Sequence, residues 1–175
     1  MNLIKYLVVA LSVLGFAVQA GTVEVKWHDP KEYTDIKPAN ESKKSFQRSV
    51  FKHLEKHWAK MAEKELPDNI SLKVKVTNLN LAGDVRYNFS MSREIRLVKH
   101  LYWPSIEFEY SFYDGEQLIK TEQVTLKDMA FMDRGSQIRR NTAYYYEKRI
   151  ITDWFVDDVQ MMLAQWKKQQ TAVMS

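Results

Sequence analysis

The sequence predicts a single α+β domain in which one mostly antiparallel sheet of four to five strands carries two long helices on one face. Three observations indicate this class. Two long segments repeat apolar residues at helical spacing, several shorter ones alternate apolar and polar residues, and no linker or repeat divides the chain. The chain has 175 residues, which is enough for one hydrophobic core even after loss of a leader.

Strands are predicted where apolar and polar residues alternate, because successive side chains of a strand point to opposite faces. The alternating runs are 22–27, 72–81, 95–98, 106–112 and 117–126. Near Thr77-Asn78 the apolar phase slips by one residue, which predicts a β-bulge. Asp114-Gly115 predicts a hairpin turn, and residues 87–93 are expected to form an irregular loop.

The helices are predicted over 41–66 and 143–170, with Asn40 or Ser42 as the cap of the first. The apolar arc of the first helix consists of Phe46, Val50, Phe51, Leu54, Trp58, Met61 and Ala62. The arc of the second consists of Ala143, Ile150, Ile151, Trp154, Phe155, Met161 and Met162. If the first helix is a right-handed crossover, the strands on either side of it are parallel.

Residues 1–20 have the composition of a secretory signal peptide. Lys5 precedes an apolar run of about a dozen residues, and the small residues Val18 and Ala20 stand where a signal peptidase requires them. Because the run is too short to span a bilayer, we expect cleavage after Ala20 and a soluble mature domain of residues 21–175. The chain has no cysteine, whereas secreted eukaryotic domains usually carry disulfides, so the expected location is the bacterial periplasm.

Several short stretches of the mature chain are similar to a known family. They are Val23-Glu24-Val25-Lys26-Trp27 with Asp29-Pro30 and Tyr33-Thr34-Asp35, Asn40-Glu41-Ser42, Leu81-Ala82-Gly83-Asp84, Leu126-Lys127-Asp128-Met129, and Tyr146-Glu147-Lys148-Arg149 with Trp154-Phe155. In this order they resemble, over residues 22–156, the uncharacterised bacterial family labelled "domain of unknown function 3016". The resemblance implies an exported Gram-negative protein, and implies no activity, cofactor or catalytic residue.

The sequence contains no catalytic constellation, so we expect neither enzymatic activity nor a cofactor. It lacks cysteine, a Gly-x-Ser-x-Gly motif and a glycine-rich phosphate-binding loop. His53 and His57 have the spacing of a metal-binding pair, but neighbouring lysines repel a cation, and we interpret both as residues at the edge of the apolar arc. Glu107 and Glu109 share a strand face and are interpreted as solvated residues rather than an acid–base pair.

The first helix also carries a basic stripe, predicted to lie opposite its apolar arc. The stripe repeats every four residues and consists of Lys44, Arg48, Lys52, Lys56, Lys60 and Lys64. Repulsion at this spacing costs about 0.2–0.5 kcal/mol per pair, which burial of the apolar arc outweighs. Two interpretations therefore remain open for Lys52, Lys56 and Lys60: a solvated face, or a surface that binds anions.

A second group of charges surrounds the start of the second helix. Its basic members are Arg134, Arg139, Arg140, Lys148 and Arg149. Glu147 lies within the apolar arc, so its carboxylate must be paired or hydrogen-bonded, and Arg139 and Arg140 are the candidate partners. The group is interpreted either as a salt-bridged contact between loop and helix or as a basic pocket for phosphates and carboxylates.

Together these features predict an exported periplasmic protein that binds a partner and catalyses no reaction. The expected partner is an envelope protein, an anionic phospholipid or lipopolysaccharide, which the basic regions would contact. Nucleic acid is disfavoured by export and by the lack of interleaved basic and aromatic residues. The alternative function is a small-molecule-binding domain with a pocket between the sheet and the helices.

Overall fold

The computed structural model describes residues 21–134 and 142–173, and its fold is α+β as predicted. Along the chain the elements are β1 (Thr22–Trp27), α1 (Lys43–Glu65), β2 (Ile70–Asn80), β3 (Asp84–Asn88), β4 (Arg93–Leu97), β5 (Ser105–Asp114), β6 (Gln117–Lys127), α2 (Tyr145–Trp154), a π-helical turn (Phe155–Val159) and α3 (Gln160–Val173). The proposed leader, residues 1–20, and both Arg139 and Arg140 lie outside the described residues.

The strands form two sheets, which corrects the prediction of a single one. The larger sheet has the order β1-β2-β5-β6 and is mixed, because β1 and β2 are parallel while the other neighbours are antiparallel. The parallel pair is the arrangement expected if α1 is a crossover connection. The smaller sheet is the antiparallel pair β3–β4, so part of the segment 87–93, expected to be a loop, is strand.

The β3–β4 hairpin has no clear signal in the sequence because it contributes little to the core. Within β3, Val85 is the buried residue, so the apolar alternation typical of a half-buried strand is missing. Backbone geometry sets the start of the hairpin instead. Gly83 has a φ of 87°, and a Cβ at this position would lie 2.8 Å from the carbonyl oxygen of Leu97, so glycine is required here.

The start of α1 is determined by Ser42. Its side chain accepts a hydrogen bond from the backbone N–H of Ser45 at 3.2 Å, so the helix begins at Lys43 rather than at the predicted Glu41. Asn40, the other candidate cap, instead donates to the carbonyl oxygen of Glu94 at 2.5 Å. This bond connects the loop before α1 to β4.

The two predicted irregularities of the larger sheet are present. The register between β2 and β5 shifts between Val76 and Asn78, which confirms the β-bulge. The β5–β6 hairpin is also confirmed, but its turn lies one residue further along the chain. Asp114 pairs with Gln117, so the turn residues are Gly115-Glu116, and Gly115 has the positive φ of 56°.

The π-helical turn interrupts the second long helix and corrects its predicted apolar arc. Ile150, Ile151, Trp154 and Phe155 are buried as predicted. A π-helical turn forms i→i+5 bonds and holds more residues than an α-helical turn, so it rotates the positions that follow. Val159 and Leu163 therefore face the core and Met162 is half-buried against it, whereas Met161 is 56% exposed and Ala143 is exposed before the helix begins.

Both long helices pack on the same face of the larger sheet. Trp58 of α1 and Trp154 of α2 contact the ring of Phe108 on β5 at centroid distances of 5.3 and 5.1 Å, and each other at 5.4 Å. The alternate residues of β5, including Glu107 and Glu109, point to the opposite face and are partly exposed. None of the helices described has the length and apolar character needed to cross a bilayer.

We expect Trp154→Ala to lower the free energy of unfolding by about 3–5 kcal/mol, because it leaves a cavity among the core rings. Met161→Ala is the matched control on the exposed side of the same long helix. It is expected to change the free energy of unfolding by less than about 0.5 kcal/mol. Urea denaturation measures both values, and equal losses would contradict the rotation that we assign to the π-helical turn.

Candidate anion-binding site

The two basic regions predicted from the sequence meet in one groove between α1 and α2. The groove has a volume of about 670 Å³. Its lining includes His53, Lys56, His57 and Lys60 from α1 and Lys148 and Arg149 from α2. We call this surface the basic groove. It brings together four of the residues selected as binding candidates, although they are far apart in the chain.

The other basic residues of α1, Lys52 among them, do not line the basic groove. Consecutive helical residues are separated by 100°, so each step of four residues advances about 40° around the axis. The stripe from Lys44 to Lys64 therefore winds gradually around α1, as the apolar residues at the same spacing do, and all six of its residues are exposed. Lys52 is exposed, and within the stripe Lys56 and Lys60 are the residues that line the groove.

The charges in the basic groove favour an anion. Burial lowers the pKa of Lys148; the carboxylate of Glu147 opposes this effect, and the charge of Lys56 adds to it. The ammonium of Lys148 donates to the carbonyl oxygen of Ala143 at 2.7 Å, which holds it at the edge of the groove. Because like charges repel more strongly where water is partly excluded, a bound anion would stabilise this arrangement.

Arg149 is engaged in structural contacts. Its Nη2 donates to Asp128 Oδ2 at 2.5 Å and to the carbonyl oxygen of Phe131 at 2.8 Å, and its Nη1 donates to the carbonyl oxygen of Arg134 at 2.6 Å. The guanidinium of Arg134 also pairs with Asp128, at 2.9 Å. These bonds join the loop after β6 to α2, as in the structural interpretation of this group. They leave Lys56, Lys60 and Lys148 as the better candidates for contact with a ligand.

We expect Asp128→Ala to lower the free energy of unfolding by about 3–5 kcal/mol, because it leaves the largely buried charge of Arg149 without its counter-ion. The matched control is Arg134→Ala, which removes the more exposed partner of the same carboxylate. It is expected to cost less than about 1 kcal/mol. Urea denaturation compares the two, and a similar loss in both variants would contradict the structural role given to Arg149.

Glu147 is only 3% exposed and does not line the basic groove. Its Oε1 accepts a hydrogen bond from the backbone N–H of Ala82 at 2.7 Å, so the hydrogen bond required by its burial comes from the main chain. Burial raises the pKa of Glu147, although this bond and the charges of Arg96 and Lys148 act in the opposite direction. The predicted partners Arg139 and Arg140 are outside the described residues.

Hydrogen bonds orient the two histidines of the groove. His53 Nδ1 lies 2.7 Å from the carbonyl oxygen of Ser49 and is therefore a donor. His57 Nε2 lies 2.9 Å from Thr152 Oγ1, whose hydroxyl donates to the carbonyl oxygen of Lys148, so His57 donates as well. Among residues 21–134 and 142–173 no group of three or more metal-ligating side chains is present.

Burial lowers the pKa of His57 to about 4, and the charges of Lys148 and Lys60 contribute. The unfolded chain therefore takes up this proton near pH 6.5, before the folded chain does, so the imidazole reduces stability as the pH falls from about 6.5 toward 4. Between pH 7 and pH 5 the free energy of unfolding should fall less in His57→Gln than in the wild type. After allowance for solvent screening, the expected difference is on the order of 1 kcal/mol.

Urea denaturation at both pH values measures this difference, and an NMR titration of the His57 ring provides an independent check. An imidazolium signal for His57 that develops near pH 6.5 would show that the ring is not shielded from solvent in the way the structure indicates.

The geometry defines an α+β protein with a groove of cationic side chains between its two long helices. The profile of the family described as "Protein of unknown function (DUF3016)" matches residues 21–157. The chain therefore belongs to this family, which confirms the resemblance found in its sequence. No curated protein and no solved structure gives a significant match.

Proposed function

We propose that this chain is an exported, non-enzymatic protein that binds phosphate groups of the bacterial envelope in its basic groove. The observation that carries the proposal is the convergence of Lys56, Lys60 and Lys148 on one concave surface between two helices. Lysine ammonium groups bind phosphate as point charges on flexible side chains, so they can bind phosphate groups that belong to different molecules. Phospholipids and lipopolysaccharide present such phosphates in the envelope.

Two further properties support this proposal. The composition of residues 1–20 supports export and hence a location in the periplasm. The formal net charge of the whole chain is only +4, so binding would depend on the local arrangement of charges rather than on general attraction to polyanions.

Asp153 also lines the groove, but its carboxylate lies 3.6 Å from the guanidinium of Arg134, which partly neutralises it.

The test is co-sedimentation of the chain from Gly21 with vesicles of phosphatidylcholine that contain or lack phosphatidylglycerol. We expect binding to the anionic vesicles only, and weaker binding at about 300 mM than at about 50 mM salt, because exposed charges are screened. The double variant Lys56→Glu/Lys60→Glu is expected to bind at least about tenfold more weakly. Purified lipopolysaccharide as a competitor distinguishes the two sources of phosphate.

The matched control is Lys167→Glu/Lys168→Glu, which changes the net charge by the same amount on exposed positions of α3. These positions lie roughly 20 Å along the helix from Asp153, beyond the screening length of about 8 Å at physiological salt. We expect its binding to stay within about threefold of the wild type. Equal losses in both double variants, or no loss in the groove variant, would contradict binding by the groove.

The alternative site, a pocket between sheet and helices, is less favoured by the packing. The rings of Trp58, Phe108, Trp154 and Phe155 contact one another there, and a ligand would have to displace them. A small-molecule site at the edge of the helices, beside Glu147, has better support from the geometry.

A further inference from the structure

A second cavity, of about 500 Å³, adjoins the start of α2. Its lining includes the carboxylates of Glu41 and Glu147 and the aromatic residues Phe46, Tyr144 and Tyr146. We call it the Glu147 cavity. It differs from the basic groove in charge and in lining, although Thr142 and Tyr145 border both.

The carboxylate of Glu147 is the unusual feature of this cavity. The side chain is 3% exposed, and the hydrogen bond that Oε1 accepts from the backbone N–H of Ala82 involves no opposite charge. Within the described residues, no salt bridge to this carboxylate is formed. Burying the charge of this carboxylate is costly and no described residue forms an ion pair with it, so a cation that entered the cavity would favour the ionised form and gain a charged partner.

Arg96, which also lines the cavity, is already engaged. Its Nη1 donates to Asp35 Oδ2 at 2.8 Å and to the carbonyl oxygen of Gly83 at 3.0 Å. Its Nη2 donates to the carbonyl oxygen of Lys37 at 2.7 Å. Because Arg96 is paired with Asp35, the carboxylates of Glu41 and Glu147 are the charged groups of the described lining that form no salt bridge.

The backbone at the start of α2 supports a binding role. Tyr144 has φ 54° and ψ 41°, a left-handed conformation that is unfavourable for residues other than glycine, and its side chain makes no capping hydrogen bond. Such conformations are often found at ligand sites, where the surrounding contacts hold them. At this position the conformation puts Tyr144 in edge contact with Phe46, so that two aromatic rings border the cavity.

We propose that the Glu147 cavity binds a small organic ammonium ion. The ammonium group pairs with the carboxylate of Glu147, while the faces of aromatic rings contact the positive charge and its alkyl groups. Leu81 and Val98 provide apolar contacts for the rest of the ligand. The inference does not rest on the function proposed for the basic groove, because the two sites take ligands of opposite charge.

The test uses isothermal titration calorimetry of the chain from Gly21 with choline, butylammonium and agmatine as probes. The matched comparison for choline is its uncharged isostere, in which a tert-butyl group replaces the trimethylammonium group. We expect at least one cation to bind with a dissociation constant below about 1 mM, and the isostere to bind at least about tenfold more weakly than choline. No binding by any probe at about 10 mM, or equal binding of choline and its isostere, would overturn the proposal.

Glu147→Gln identifies the carboxylate involved. Glutamine keeps an oxygen that can accept the hydrogen bond from Ala82, so the variant is expected to fold and to bind the cation at least about tenfold more weakly. Glu109→Gln, on the opposite face of the sheet, is the control and should bind as the wild type does. Unchanged cation binding in Glu147→Gln would also overturn the proposal, while Glu147→Gln should leave vesicle binding by the basic groove intact.

Discussion

The contact between Trp58 and Trp154 fixes α1 against the second long helix, and the sites at their surface depend on it. Because both rings also contact Phe108, each helix is positioned against the same point of the sheet. Trp58 is fully buried, and its indole N–H has no hydrogen-bond partner among the described residues, so the contacts that these residues make with its ring are packing contacts. The basic groove lies on the outer side of the helix pair that this contact brings together.

The first turn of α2 separates two sites of opposite charge. Glu147 and Lys148 are adjacent in the chain, but consecutive helical residues differ by 100° in direction, so the carboxylate faces its own cavity and the ammonium faces the basic groove. Their mutual attraction raises the pKa of Lys148 and lowers that of Glu147, although burial has the larger effect on both. Each charge is thus left available mainly to a ligand on its own side.

The sequence predicts those helices and strands whose buried faces require apolar residues at regular spacing. Val50, Leu54 and Trp58 recur at helical spacing because they fill one buried face, and this pattern located α1. The features that were missed leave no such pattern. The π-helical turn changes the phase of a helix without requiring a particular residue type. The hydrogen bond to Glu147 comes from a backbone N–H, which every residue except proline has. Lys60 and Lys148 line the same groove only because α1 packs against α2, and the sequence of neither helix alone indicates this.

The positive charge of the basic groove near neutral pH does not depend on protonation of His57. The ring donates to Thr152 and is neutral well above its pKa of about 4, so the lysines supply the charge near neutrality. An anion bound beside the ring would stabilise its protonated form and raise its pKa. By linkage, the same anion would then bind more tightly as the pH falls toward that raised pKa. Neutral His57 therefore adds no repulsion toward Lys60 and Lys148, and a bound anion would compensate for the further positive charge of its protonated form.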